Sequence, residues 1–165
     1  MDDTALLRHF LAALAYRTQK ALRGAPASFA TFRAGDQVRT PHELVRHMTS
    51  VLGYARTFFT GGKYRPEPLP SFDTEVSRFH ETLADLAGYL QRGAPLHGIS
   101  HKQLLQGPFA DAMTHAGQLA LLRRLAGSPI PPENFVFANV SADNLGPDQP
   151  PPARPDREWP EAPTR

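Results

Sequence analysis

Apolar side chains recur at steps of three and four residues in four separate stretches of the chain, and this spacing predicts four amphipathic helices. The stretches lie at about residues 4–23, 41–60, 71–91 and 108–126. Prolines avoid the middle of each stretch and concentrate in the connections, where a missing backbone N–H is tolerated. No segment shows the convincing alternation of a half-buried strand. The pattern predicts an all-α fold, an antiparallel four-helix bundle with long connections.

The ends of two of these helices are marked by residue types that cap helices. Thr40 at the N-cap, Pro41 at the first helical position and Glu43 at N3 form a capping box that begins the second helix. Gly127 follows the fourth helix, at the position where a left-handed residue commonly ends one. A short helical turn is also expected at residues 102–106, between the third and fourth helices.

The C-terminal part of the chain has a different composition. Residues 133–140 form a short, semi-apolar extended segment, and residues 141–165 are rich in proline and charge, with Trp159 as their one aromatic residue. A segment of this composition cannot form a core of its own, so it is either disordered or extended over the bundle. The expected organisation is a bundle over residues 1–140 and a proline-rich tail over residues 141–165.

Composition and charge exclude several classes of function. The chain contains no cysteine, so disulfides, thiolate nucleophiles and cysteine-ligated metal sites are excluded, and a bound metal must use histidine, carboxylate or main-chain oxygen. The net charge of +2 is small and no basic stripe is present, so nucleic-acid binding is not expected. No apolar run approaches the roughly 18 residues of a membrane span. The acidic start Met1-Asp2-Asp3 is unlike a secretory signal, and we expect a cytoplasmic protein with no membrane association.

Two of the seven histidines fall on the inward stripes of different helices, His47 in the second helix and His115 in the fourth. A buried imidazole needs partners, because an unpaired buried polar group costs about 1–3 kcal/mol. A single hydrogen bond to a neighbouring helix explains one inward histidine. Two of them on facing helices indicate a divalent-metal site, since the core of a bundle is where such sites are built from side chains.

Further polar residues stand near these two histidines in the predicted bundle. Asp111 lies four residues before His115 on the same helix face, and a third ligand there would leave positions open for water or substrate. The helix dipole alone also favours an acidic residue at Asp111, in the first turn. Gln118 and Tyr54 are candidates for a supporting shell around the ligands or, alternatively, for polar and aromatic packing roles. His101 is the candidate substitute for the third ligand. The remaining histidines are expected at the surface or in structural roles: His9, His42, His80 and His97.

The segments 107–119 (GPFADAMTHAGQL) and 123–127 (RRLAG), together with 39–48 (RTPHELVRHM), resemble DinB/YfiT-like proteins. The resemblance covers about residues 4–140 and implies a four-helix fold. It also implies a divalent ion held by three histidines, one in the second helix and two spaced i, i+4 in the fourth. His47 and His115 match two of these positions. The third falls on Asp111, which is a departure from the family's pattern.

The same resemblance implies two classes of function. Characterised members include thiol-dependent transferases and isomerases that use low-molecular-weight thiols, and others are hydrolases. We therefore expect a metal-dependent enzyme of hydrolase or thiol-dependent transferase type that acts on an unidentified small-molecule substrate. The expected cofactor is Zn, Ni, Mn or Fe, joined by a low-molecular-weight thiol if the enzyme is a transferase. No general base stands out beside the ligands. The alternative is a non-catalytic bundle that acts through homodimerisation or partner binding and carries a structural or vestigial metal site.

Overall fold

The computed structural model describes residues 3–154, and the regular elements of this part of the chain are all helices. The all-α prediction is confirmed. Four long helices lie close to their expected positions: α1 (Asp3–Leu22), α2 (Pro41–Thr60), α3 (Phe72–Gln91) and α5 (Ala110–Leu125). Shorter elements fill the connections: 3₁₀ turns at Ala27–Thr31 and Phe135–Phe137, helix α4 (His101–Leu104) and a π-helical turn at Leu105–Phe109. None of the described helices has both the length and the low polarity needed to cross a bilayer.

The four long helices pack in a ring, in which α1 and α2 each contact both α3 and α5. Fully buried side chains from all four fill the space between them: Leu11, Met48, Phe79 and Leu119. Each stripe of apolar residues read from the sequence faces this shared core, so the hydrophobic effect favours closing the ring. The amphipathic pattern thus accounts for the packing of the helices.

The relative directions of the helices follow from contacts near their ends. The rings of Phe59 and Tyr89 stack at 5.3 Å near the C-terminal ends of α2 and α3, so these helices run parallel. Arg123, in the last turn of α5, donates to the carbonyl oxygens of Ala21 and Arg23 at the end of α1, so α1 and α5 also run parallel. The expected antiparallel arrangement is therefore found in two of the four neighbouring pairs, α1 with α3 and α2 with α5.

The parallel pair α2 and α3 requires a connection that returns along the length of the bundle. A helix of 20 residues is about 30 Å long, and residues 61–71, when extended, reach about 36 Å. This connection contains prolines, which favour extended backbone. The long, proline-rich connection seen in the sequence is therefore what permits two parallel neighbours.

Local sequence determines how α2 and α5 begin. The predicted capping box of α2 is confirmed: the Thr40 backbone N–H donates to Glu43 at 2.8 Å, and the Glu43 backbone N–H donates to the Thr40 hydroxyl at 3.2 Å. The expected turn before the fourth long helix is α4 together with the π-helical turn. Gly107 in that turn has non-helical angles (φ −91°, ψ −106°) directly before Pro108, so the chain bends and α5 begins at Ala110. Such wide turns are frequent at functional sites.

Part of the C-terminal segment lies against the helices. Glu133 is buried between Tyr16 and Lys20 of α1, and the Leu145 carbonyl oxygen accepts a hydrogen bond from His80 of α3. Further contacts link the same segment to α1: Arg8 with Asp143, and Arg23 with the carbonyl oxygens of Gln149 and Pro150. Residues of the tail between 141 and 154 thus contact both α1 and α3. Residues 155–165, with Trp159, lie outside the described residues.

His80 makes this attachment sensitive to pH. Its Nδ1 donates to the Leu145 carbonyl at 2.6 Å, so its Nε2 is the acceptor for the Gln19 amide at 2.9 Å, and the ring is neutral. Burial lowers the pKa of His80 below its ordinary 6.5, and the bond to Leu145 opposes this only in part. Unfolding restores the ordinary pKa, so the unfolded chain binds more protons and stability falls as the pH drops.

We expect the loss of stability to begin near pH 6.5 and to be complete at the lowered pKa of folded His80. The measurement is the free energy of unfolding in urea between pH 7.5 and 5, for the wild type and for His80→Gln, which cannot titrate. The stability advantage of the wild type should shrink on acidification. A constant difference across this range would contradict the assignment.

Candidate metal centre

Helices α2 and α5 bring together the three residues proposed as ligands from the sequence. His47 lies on α2, and Asp111 and His115 lie one turn apart on α5. One ligand atom from each of the three lies within 4.8 Å of the others, and the two imidazole ring centroids are 4.8 Å apart. These three side chains therefore form a group that could hold a metal ion. Spacing within α5 brings Asp111 to His115, but only the packing of α5 on α2 brings His47 to both.

His115 is held in one orientation by its hydrogen bonds. Its side chain is buried, and its Nδ1 lies 2.8 Å from Oε1 of Gln118. Because Oε1 only accepts, Nδ1 carries the proton, and Nε2 is the ring nitrogen left toward the group. Nε2 lies 3.4 Å from Oδ1 of the Asp111 carboxylate. A proton or a metal ion between these two atoms would satisfy both of them. Gln118 therefore contacts His115, one of the three residues proposed as ligands.

His47 is half-buried beside this pair. Burial lowers the pKa of His47 below its usual 6.5, the Arg39 and His115 charges act in the same direction, and Asp111 opposes them. The neutral imidazole is the form that binds metal ions, so this environment favours a ligand at neutral pH. The lowered pKa of His47 and its position near Asp111 and His115 thus both favour a role as a metal ligand.

The chemistry and spacing of the group fit a divalent transition metal. Two imidazole nitrogens and one carboxylate oxygen are donors that Zn, Ni, Mn and Fe accept. Two ligand atoms that bind a tetrahedral ion at about 2.1 Å lie about 3.4 Å from each other. The separation between Asp111 and His115 is already 3.4 Å. Since no separation within the group exceeds 4.8 Å, shifts on the order of 1 Å would suffice to close it around an ion.

A cavity of about 750 Å³ opens beside the group, and its lining includes His47 and Asp111. The bend at Gly107 and Pro108 forms another part of the wall. Tyr54 also lines this cavity, but its side chain is 56% exposed and its ring packs on Phe58 at 4.8 Å. Tyr54 therefore contributes to the wall of the cavity, while Gln118 is the proposed supporting residue that contacts a ligand.

A second cavity, of about 450 Å³, shares His47 and Ser50 with the first. Three arginines line it, and none of them was proposed as functional from the sequence: Arg33, Arg39 and Arg46. A pattern that indicates this cavity does exist. Glu43, Arg46 and Ser50 follow one another at steps of three and four residues and form a polar stripe next to His47. The histidine argument used only the apolar face of α2, and this polar stripe lies beside that face.

The other histidines lie apart from the group. His101, the proposed substitute ligand, has its Nδ1 4.0 Å from Asp3 at the beginning of α1. His42 packs beside the ring of Phe72 with 6.0 Å between centroids, and His97 is an exposed residue whose backbone N–H donates to α2. His9 is exposed on α1, and His80 of α3 is buried against Gln19 of α1 and Leu145 of the tail. His47 and His115 are therefore the two histidines that converge within residues 3–154.

Comparison of the chain with known proteins adds no functional assignment. No family model matches it, and neither a curated protein nor a solved structure matches it significantly. The geometry of His47, Asp111 and His115, with the two adjoining cavities, therefore carries the functional argument.

Proposed function

We propose that this protein is a metal-dependent enzyme of the DinB-like superfamily, with a divalent ion held by His47, Asp111 and His115. The observation that carries the proposal is the arrangement at His115. Its Nδ1 is hydrogen-bonded to Gln118, its Nε2 lies 3.4 Å from the Asp111 carboxylate, and the His47 ring lies beside them. A shared divalent cation would bind all three of these side chains.

The residues of the chain contribute positioning and enclosure. Gln118 fixes the tautomer of His115, the bundle core restricts the orientation of both imidazoles, and α5 fixes the carboxylate next to them. Three protein donors leave coordination positions open toward the 750 Å³ cavity, where a small-molecule substrate would bind. A divalent ion there would act as a Lewis acid and lower the pKa of a bound water or thiol.

The reaction class follows from which nucleophile this site can recruit. The chain has no cysteine, which fits a nucleophile supplied by water or by an external thiol. Water corresponds to a hydrolase, and a low-molecular-weight thiol corresponds to a thiol-dependent transferase. The zinc, nickel, manganese and iron ions all accept this donor set, so the metal is to be identified by measurement.

One observation favours the alternative of a non-catalytic protein that associates through a helix face. Leu121 and Leu125 of α5 are each more than half exposed, beside an apolar cleft that also includes Val38. Apolar residues grouped on a surface are typical of association sites. Under this alternative the protein forms a homodimer and the metal site is structural or vestigial.

The proposed function is tested on protein purified without a histidine tag. Elemental analysis should find a transition metal near one equivalent per chain, and removal by a chelator should lower the melting temperature. The metal-loaded protein is then assayed for hydrolysis and for transfer to and from thiol conjugates. Activity that disappears on chelation and returns with the metal establishes the enzyme. Protein that is metal-free, and whose melting is unchanged by zinc, nickel, manganese or iron, would refute the metal site.

A further inference from the structure

The 450 Å³ cavity next to His47 carries an excess of positive charge. Its charged lining consists of three arginines and one glutamate: Arg33, Arg39, Arg46 and Glu43. Arg33 pairs with Glu43 at 3.8 Å. Within residues 3–154, neither Arg39 nor Arg46 forms an ion pair with a carboxylate. Two arginines that form no ion pair within that range therefore line one cavity, an arrangement suited to oxyanions because guanidinium presents a planar set of donors.

The Glu43 carboxylate, which lines this cavity, already has hydrogen-bond and ion-pair partners. Glu43 accepts a hydrogen bond from the Thr40 backbone N–H as part of the capping box that begins α2, and this bond together with the Thr40 side chain lowers the pKa of Glu43. The charges of Arg33 and Arg46 lower the pKa of Glu43 further, by smaller amounts. The Glu43 carboxylate is therefore hydrogen-bonded to the helix start and paired with Arg33, and within the described residues it forms no ion pair with Arg39 or Arg46. The guanidinium donors of these two arginines are thus available to an anion.

The cavity is joined to the candidate metal centre. His47 and Ser50 line both this cavity and the larger one, so His47 stands at their junction. The Ser50 hydroxyl donates to the Arg46 carbonyl oxygen at 3.1 Å, which orders the shared wall. An anion held by the arginines would lie beside a metal ligand rather than on a remote surface.

We propose that Arg39 and Arg46 form an anion subsite that binds a carboxylate or phosphate group of the substrate. The assignment of this anion to a substrate rests on the proposed function, whereas anion binding itself does not. The subsite restricts the substrate class to small molecules that carry an oxyanion at one end and present their reactive group to the ligands His47, Asp111 and His115. Arg33 contributes to the same positive field, although its pairing with Glu43 reduces its share.

The test is an NMR titration of isotope-labelled, metal-free protein with inorganic phosphate and, separately, with succinate. Sodium chloride at matched ionic strength is the control for screening. We expect saturable shifts around residues 39–50 with at least one of the two anions. Saturation by succinate alone, by phosphate alone, or by both supports the subsite and identifies which oxyanion it prefers. Shifts that are absent, or that chloride reproduces, would overturn it.

Variants that remove positive or negative charge from the cavity should change anion binding in opposite directions. Arg39→Gln/Arg46→Gln should weaken binding at least about tenfold, because hydrogen bonds between guanidinium and an oxyanion are about twice as strong as neutral ones. Glu43→Gln should tighten binding several-fold, because glutamine keeps the capping box while the negative charge is removed. Arg65→Gln/Arg124→Gln changes the net charge equally at exposed positions outside the cavity and should leave binding unchanged. Equal weakening by both arginine pairs would overturn the subsite, because general charge would then explain the binding.

Elemental analysis of the same protein as purified, before the metal is removed for the titration, and after reloading with zinc, separates this inference from the proposed function. Stoichiometric metal without anion binding overturns the anion subsite and leaves the metal centre. Anion binding in protein that takes up no metal overturns the metal centre and leaves the subsite.

Discussion

Replacing His115 with alanine should lower the affinity for zinc more than about 100-fold. The variant removes one of three donors, whereas loss of a residue that only supports a ligand typically costs about 10–100-fold. It also leaves the Asp111 carboxylate without its partner at 3.4 Å and releases Gln118 from its bond at 2.8 Å. His47→Ala should have an effect of similar size, because it removes the donor that α2 contributes.

Zinc affinity is measured by competition with a chromophoric chelator at fixed pH. His42→Ala is the matched control, since it removes a histidine from the first turn of the same helix that carries His47 but lies outside the group. Gln118→Leu should weaken zinc binding about 10–100-fold, because it removes the acceptor that fixes the tautomer of His115. If the His42 and His115 variants lose zinc equally, the assigned ligands are incorrect.

Replacing Glu133 with alanine should destabilise the fold by about 3–5 kcal/mol, the cost of removing one partner from a buried ion pair. The Glu133 carboxylate is fully buried and accepts from Lys20 at 2.7 Å and from the Tyr16 hydroxyl at 2.6 Å. Burial, followed by the hydrogen bond to Glu133, raises the pKa of Tyr16, so this phenol stays protonated and donates. The alanine variant would leave both the ammonium and the hydroxyl without their acceptor.

The free energy of unfolding in urea at pH 7.5 measures this effect. Asp143→Ala is the control, because Asp143 also links the C-terminal segment to α1, through Arg8, but its side chain is 89% exposed. Exposed ion pairs contribute little, so this variant should unfold like the wild type. Glu133→Gln, which keeps an acceptor oxygen, should fall between the two. Similar losses at Glu133 and Asp143 would show that burial does not determine the contribution of this contact.

The spacing of apolar residues and the capping residues were enough to predict the four helices from the sequence. They also predicted which helix face carries each of His47, Asp111 and His115. The amphipathic stripes located four helices, and the capping box at Thr40 fixed where α2 begins, because both depend on residues a few positions apart. The i, i+4 spacing likewise predicted that Asp111 and His115 share a face. The inward position of His47 on α2 predicted an imidazole facing the core, and in the structure this ring lies beside that of His115.

Contacts between distant residues were decided only by the tertiary structure. The parallel pairing of α2 with α3 depends on a crossover whose path no local pattern specifies. The burial of Glu133 against Tyr16, 117 positions away, depends on the path of the chain after α5. The arginine cavity arises because residues 33 and 39 of a connection meet one face of α2 beside His47. The sequence by itself determined the helices and which faces are apolar, because those properties follow from short-range spacing. The tertiary structure decided which charges and imidazoles meet, because packing alone brings separate elements within contact distance.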